Sequence, residues 1–208
     1  MKTKKIITLV LCAVLLVAMS AAGTLAYLTD SDAVTNTFSV GKVGITLDES
    51  DVDEYGKKIP SASPVVGNDY LLVPGYSYTK DPTIHVVADS ESSWLFVKVD
   101  NGISDVETKD AAKTIHGQMI STTYGWTPLE GVANVYYKEW AKGSALDVPV
   151  FGSFTIDGSA DNAAIAAQDD DEIVVTAYAV QMAGFEDDAA GAWAATFGAP
   201  TVTPAPGA

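Results

Sequence analysis

Residues 172–182 read Glu-Ile-Val-Val-Thr-Ala-Tyr-Ala-Val-Gln-Met. The run is rich in β-branched and aromatic residues and almost continuous in apolar content. A strand with that composition is expected to lie centrally in a sheet, covered on both faces. Other segments repeat the signal. Trp94–Val99 (WLFVKV) puts Leu95, Val97 and Val99 on one face and Trp94, Phe96 and Lys98 on the other. Thr37–Leu47, Tyr70–Val73, Pro82–Val87, Asn134–Trp140, Ala145–Phe151 and Phe154–Ile156 read as further strands, with Pro74-Gly75 and Asn101-Gly102 as turns. Gly41 and Gly44 lie in a strand pattern, where bulges or bends are expected. Gly56-Lys57-Lys58, after an acidic stretch, suggests a solvated hairpin tip.

Only Val106–Ile120 breaks the pattern, with Ala111, Ala112, Ile115 and Met119 at helical spacing. Short helical turns are expected at Ala163–Ala167 and Asp188–Ala195. Many short strands between turn signals predict an all-β, jelly-roll-like antiparallel β-sandwich with one or two short helices. The sandwich is expected to span residues 36–198. Residues 199–208 (APTVTPAPGA) form a Pro/Ala/Thr tail with nothing to pack.

The N-terminus has a different logic. Lys2, Lys4 and Lys5 precede an apolar run from Ile6 to Met19, and small residues follow. This is the layout of a secretory signal peptide, and the run is short for a membrane span. Thr24 and Ala26 suit the sites before the scissile bond, so cleavage is expected between Ala26 and Tyr27. Residues 1–26 are then the signal peptide, and residues 27–40 are an extended N-terminal segment. No membrane anchor is expected after cleavage.

The 208 residues include 12 Lys+Arg, all of them Lys, and 27 Asp+Glu, a net charge of −15. Removing the three leader lysines takes the net charge to −18. Such a surface disfavours nucleic acid and anionic membranes, and without Arg there is no bidentate clamp on phosphate or carboxylate. The single Cys lies in the leader, so the mature chain forms no disulfide, a pattern of the Gram-positive cell exterior.

Catalytic signals are sparse. Two histidines, His85 in a strand and His116 in the helical stretch, have no companion at HExxH spacing. Gly152-Ser153 is half of a nucleophile elbow. Asp157–Asp161 and Asp169–Glu172 are acidic but lack EF-hand spacing, and they read as solvated turns. Trp126, Tyr136, Tyr137 and Trp140 are either core aromatics or a sugar-binding face.

One set of residues goes further. Gly23–Asp30 (GTLAYLTD) followed by Asn36–Gly41 (NTFSVG) resembles the signal and mature N-terminus of the TasA/camelysin family of Gram-positive bacteria. Val73-Pro74-Gly75 with Lys80 and Pro82, Phe96–Val99, Gly125-Trp126 with Tyr136-Tyr137, Val150-Phe151, Ile173–Phe185 and Ala192-Trp193 follow in the family's order. The resemblance implies secretion, processing by the dedicated signal peptidase SipW, and a jelly-roll sandwich. It further implies a non-enzymatic protein of the cell surface or biofilm matrix that needs no cofactor. Its subunits would join head to tail in fibres by donor-strand exchange, with Tyr27, Leu28, Val34 and Phe38 as anchors. The alternatives are a monomeric surface module for glycan or matrix protein, and a camelysin-like metalloprotease, for which HExxH is missing.

Overall fold

The computed structural model describes residues 42–168 and 171–198. In chain order the strands are β1 (Ile45–Asp48), β2 (Ser77–Thr79), β3 (Thr83–Val86), β4 (Ser93–Asn101), β5 (Thr127–Pro128), β6 (Val135–Trp140), β7 (Asp147–Pro149), β8 (Ser153–Thr155) and β9 (Ile173–Gln181). The helices are α1 (Ile115–Met119), α2 (Asn162–Ala166) and α3 (Ala189–Phe197). Three sheets form, ordered β1-β3-β7, β2-β8 and β5-β6-β4-β9. Every pairing is antiparallel. The architecture is the all-β sandwich expected from the strand spacing.

β4 organises the layers because both of its faces are apolar. Leu95, Val97 and Val99 enter a large core with Tyr78 of β2, Ile84 and Val86 of β3, Val148 of β7 and Phe154 of β8. Leu95 and Val97 have no exposed surface, and burying each contributes roughly 1.5–3 kcal/mol. Trp94 and Phe96 point the other way, into a second cluster with Val135, Ala192 and Trp193. There α3 covers the sheet, with the Trp193 ring 5.2 Å from that of Phe96. The Trp94 indole N–H donates to the Phe185 carbonyl at 2.7 Å, so its polar end is satisfied.

Two segments differ from the sequence expectation, each for a visible reason. Helix is confined to Ile115–Met119 because the backbone of residues 106–108 is committed elsewhere. Val106 accepts from the Asp157 amide at 2.8 Å, and the Thr108 amide donates to Thr155 at 2.8 Å. The helix begins only where Thr114 caps it, its hydroxyl accepting from the Gly117 amide. Tyr70–Val73 is not a strand. Its backbone is served by a side chain instead: the Tyr78 hydroxyl donates to the Leu71 carbonyl at 2.6 Å and accepts from the Val73 amide at 2.7 Å. The Gly56-Lys57-Lys58 tip is a solvated turn as expected, with both lysines exposed and only Gly56 buried. Gly56 sits at φ 72°, and a Cβ there would come within 2.8 Å of the Tyr78 Cα, so only glycine fits. The helical turns at 163–167 and 188–195 are present as α2 and α3, capped by Asp161 and Asp188.

One ion pair is buried in the apolar interior. The Lys80 ammonium lies 3.1 and 2.9 Å from the two Glu49 carboxylate oxygens, and the Asn68 amide donates to the same carboxylate at 2.9 Å. Removing one partner would strand the other charge. Lys80→Met is therefore expected to cost about 3–5 kcal/mol in urea unfolding, and adding Glu49→Leu to that variant should recover part of the loss.

Candidate functional site

The long apolar strand whose sequence suits the middle of a sheet is an edge strand among the described residues. β9 pairs with β4 alone, in a register from Ser93↔Gln181 to Asn101↔Ile173. The Met182 amide bonds Ser92 and the Gly102 amide bonds Glu172, so the even-numbered residues of β9 direct their backbone groups to β4. The N–H and C=O groups of Ile173, Val175, Ala177 and Ala179 therefore face away from β4 and pair with no strand among the described residues; β1 approaches β9 without bonding to it. The side chains of these four residues pack partly buried against the large core.

Edges of this kind are normally blunted by shortness, charge, proline or a bulge. The other sheet edges follow that rule. β5 is two residues and contains Pro128, β7 is three residues with Asp147 and Pro149, and β1, β2 and β8 are four residues or fewer. β9 runs nine residues with no charge and no proline.

A groove of about 940 Å³ opens beside the first residues of β9. Leu47 of β1, Tyr70, Ile103 and Phe154 form apolar parts of its wall, with Ile173 and Val175 of β9. Well-packed interiors hold few voids larger than a water molecule, so a groove this size at a sandwich seam leaves room for added chain. Exposed apolar side chains continue around it: Val66 is 96% exposed and Leu71 51% exposed. The buried Glu49–Lys80 pair stands at its floor and contributes to the groove wall.

The histidines do not meet. His85, on the outer face of β3, has Nε2 2.8 Å from Asp48 Oδ1 on β1 and Nδ1 2.7 Å from Asp147 Oδ1 on β7. The hydrogen bonds to Asp48 and then Asp147 raise its pKa, so the imidazolium ties three strands together. His116 bonds the Tyr136 hydroxyl through Nδ1 at 2.7 Å. Burial raises the pKa of Glu107, opposed by the hydrogen bonds its carboxylate accepts from the Ile115 amide at 2.7 Å and the Asn101 side-chain amide at 3.1 Å. Among the described residues no group of three His, Cys, Asp or Glu is placed to hold a metal ion.

Trp126, Tyr136 and Trp140 are buried in the large core, and Tyr137 packs half-buried on the Trp94 ring at 5.7 Å, so these four do not form an open aromatic face. Asp157 caps its own turn by accepting from the Ser159 amide, and Asp161 caps α2. The cleavage residues Thr24, Ala26 and Tyr27 and the strand anchors Tyr27, Leu28, Val34 and Phe38 lie outside the described residues, as does the tail at 199–208. Among the described residues no helix is long and apolar enough to cross a membrane.

Residues 1–58 match the family model described as camelysin metallo-endopeptidase, so the N-terminal region is similar to that family. The matched stretch contains no histidine. No curated protein and no solved structure matches the chain.

The His85 bridge carries a pH signature. A raised folded-state pKa means its stabilisation is fully present below the unfolded value, near pH 6.5, and is lost as pH rises through the folded pKa. The Tm difference between the wild type and His85→Asn is expected to be largest in mildly acidic buffer and to shrink in alkaline buffer. A difference independent of pH would contradict the charged bridge.

Proposed function

We propose that the mature chain is a secreted, non-enzymatic structural protein of the cell surface or biofilm matrix. Its copies join head to tail as each adds its N-terminal segment, Tyr27–Val40, to a sheet edge of the next. The observation that carries this reading is the unguarded edge of β9, nine residues of apolar strand with outward backbone groups. Strand addition satisfies those groups and gives affinity through main-chain hydrogen bonds. A heterologous contact of this kind does not close on itself, so it propagates into a filament. Signal peptidase cleavage after Ala26 would free the segment and license assembly.

Two observations favour a structural role over the metalloprotease reading. His85 and His116 are each engaged in separate polar contacts, and the region matching the camelysin model supplies no histidine ligand. The glycan-module reading loses its aromatic platform to the core.

Mature protein beginning at Tyr27 is expected to form filaments under electron microscopy and to sediment as high-mass species. Deleting Tyr27–Phe38 should leave monomers with unchanged far-UV dichroism. A mature chain that stays monomeric at high concentration would overturn the reading. Because the mature chain carries −18, added salt should speed assembly by screening repulsion between copies; slower assembly in salt would indicate attractive charge contacts instead.

A further inference from the structure

We propose that Lys80 and Asn68 join covalently in the folded chain, through an amide between their side chains whose formation Glu49 catalyses. The site is the buried ion pair, and the proposal stands independently of the assembly reading.

Three polar side chains meet there in an arrangement that an ion pair alone does not need. The side chains of Lys80 and Glu49 are 9% and 4% exposed. Glu49 Oε1 accepts from Lys80 Nζ at 3.1 Å and from Asn68 Nδ2 at 2.9 Å, so amine and amide share one carboxylate oxygen. Asn68 Oδ1 accepts from the Val52 amide at 3.0 Å, and Nδ2 also donates to the Ser50 carbonyl at 3.0 Å. These partners fix which end of the side-chain amide is oxygen and which is nitrogen. The carbonyl oxygen faces an N–H donor, and the nitrogen faces a carboxylate. The Tyr70 ring lies 5.9 Å from Lys80 Nζ and packs edge-on against Phe154 at 5.0 Å, an apolar cover for the pair.

Each group has a part in an acyl transfer. Lys80 is the nucleophile, the Asn68 carboxamide carbon is the electrophile, and ammonia is the leaving group. Lys80 first passes a proton to Glu49 along the existing hydrogen bond. The Nζ lone pair then forms a bond to Asn68 Cγ, and the carbonyl π electrons move to Oδ1. There the Val52 amide stabilises the developing negative charge. Glu49 gives its proton to Nδ2 and takes one from Nζ as the Cγ–Nδ2 bond breaks. Ammonia leaves through the groove that all three residues line. The products are one new amide and a neutral Glu49. Two buried charges are thereby replaced by uncharged groups, which removes the desolvation cost of the ion pair. Attack needs the reacting atoms about 3–3.5 Å apart. Rotation about the terminal bonds of Lys80 carries Nζ from the shared oxygen towards the adjoining carbon.

The bond would sit where the fold has little other support. Residues 49–76 connect β1 to β2 without helix or strand, held to one another by single bridges at Glu49↔Val65 and Val52↔Lys58. That is long for a connection. No cysteine follows Cys12, so no disulfide can staple it. An amide from Asn68 to Lys80 ties the connection to the residue that follows β2.

The test is the intact mass of the folded mature chain, followed by protease digestion and fragment sequencing. The expected mass lies below that of the sequence by one ammonia, with Asn68 and Lys80 recovered in one branched fragment. Glu49→Gln keeps the nucleophile and the electrophile but removes the proton carrier. Its crosslinked fraction is expected to fall at least ten-fold with far-UV dichroism unchanged, and equal crosslinking would refute the role of Glu49. A wild-type mass equal to that of the sequence would overturn the proposal, and that reading does not depend on any variant folding. Ammonia lost within Asn68-Asp69 alone, by ring closure on the backbone, would overturn it as well. Loss of water, with Lys80 joined to Glu49, would refute the assignment of Asn68.

Discussion

β4 is bonded along both edges and buried on both faces, and every other element takes its position from it. Its inward alternation (Leu95, Val97, Val99) demands a covering layer, which β2, β3, β7 and β8 provide. Its outward alternation (Trp94, Phe96) demands another, which α3 provides through Ala189, Ala192 and Trp193. A strand sandwiched in this way passes the same requirement to its neighbours. β6 meets it, with Tyr136 entering one core and Val135 the other.

β9 inherits two apolar faces from the same geometry but has a partner on only one edge. Ile173, Val175, Ala177 and Ala179 face the sandwich interior, while Tyr178 and Val180 face α3. Backbone groups at such a site are costly to leave unpaired once apolar side chains shield them from water. The lack of charge and proline along this one edge, when the remaining edges keep their guards, supports the proposed strand addition. The adjoining groove leaves room for the proposed added strand beside the first residues of β9. On the proposed reading surface charge would act as the brake: a mature domain at −18 would stay dispersed until the gain from strand addition exceeded repulsion between copies.

Much of this was legible from residues alone. The alternation in Trp94–Val99 gave both faces of the central strand, and the helical turns expected at 163–167 and 188–195 are present, with the structure adding Asp161 and Asp188 as their caps. The helical spacing at Ala111–Met119 misled because hydrophobic periodicity carries no record of long-range backbone bonds, and residues 106–108 spend theirs on 155–157. Tyr70–Val73 looked like a strand because its side chains are apolar, yet its partner is the hydroxyl of Tyr78. The most useful mismatch is Ile173–Gln181. Its composition correctly reports two apolar, half-buried faces; what composition cannot report is that one edge of the strand is left without a hydrogen-bonded neighbour among the described residues. The candidate site was therefore visible as a strand and invisible as an edge. Likewise, the separate roles of His85 and His116 needed the fold, since only the fold brings Asp48 and Asp147 to the two sides of one imidazole.

Amide hydrogen exchange along β9, compared between monomer and assembled protein, tests the central claim most directly. The account predicts a two-residue alternation in the monomer. The amides of Val174, Thr176, Tyr178 and Val180, bonded to β4, exchange slowly, and those of Ile173, Val175, Ala177 and Ala179 exchange fast. On assembly the second set becomes slow and the alternation disappears. Uniformly slow exchange along β9 in the monomer, or fast exchange at Val175 and Ala177 that persists in filaments, would contradict it.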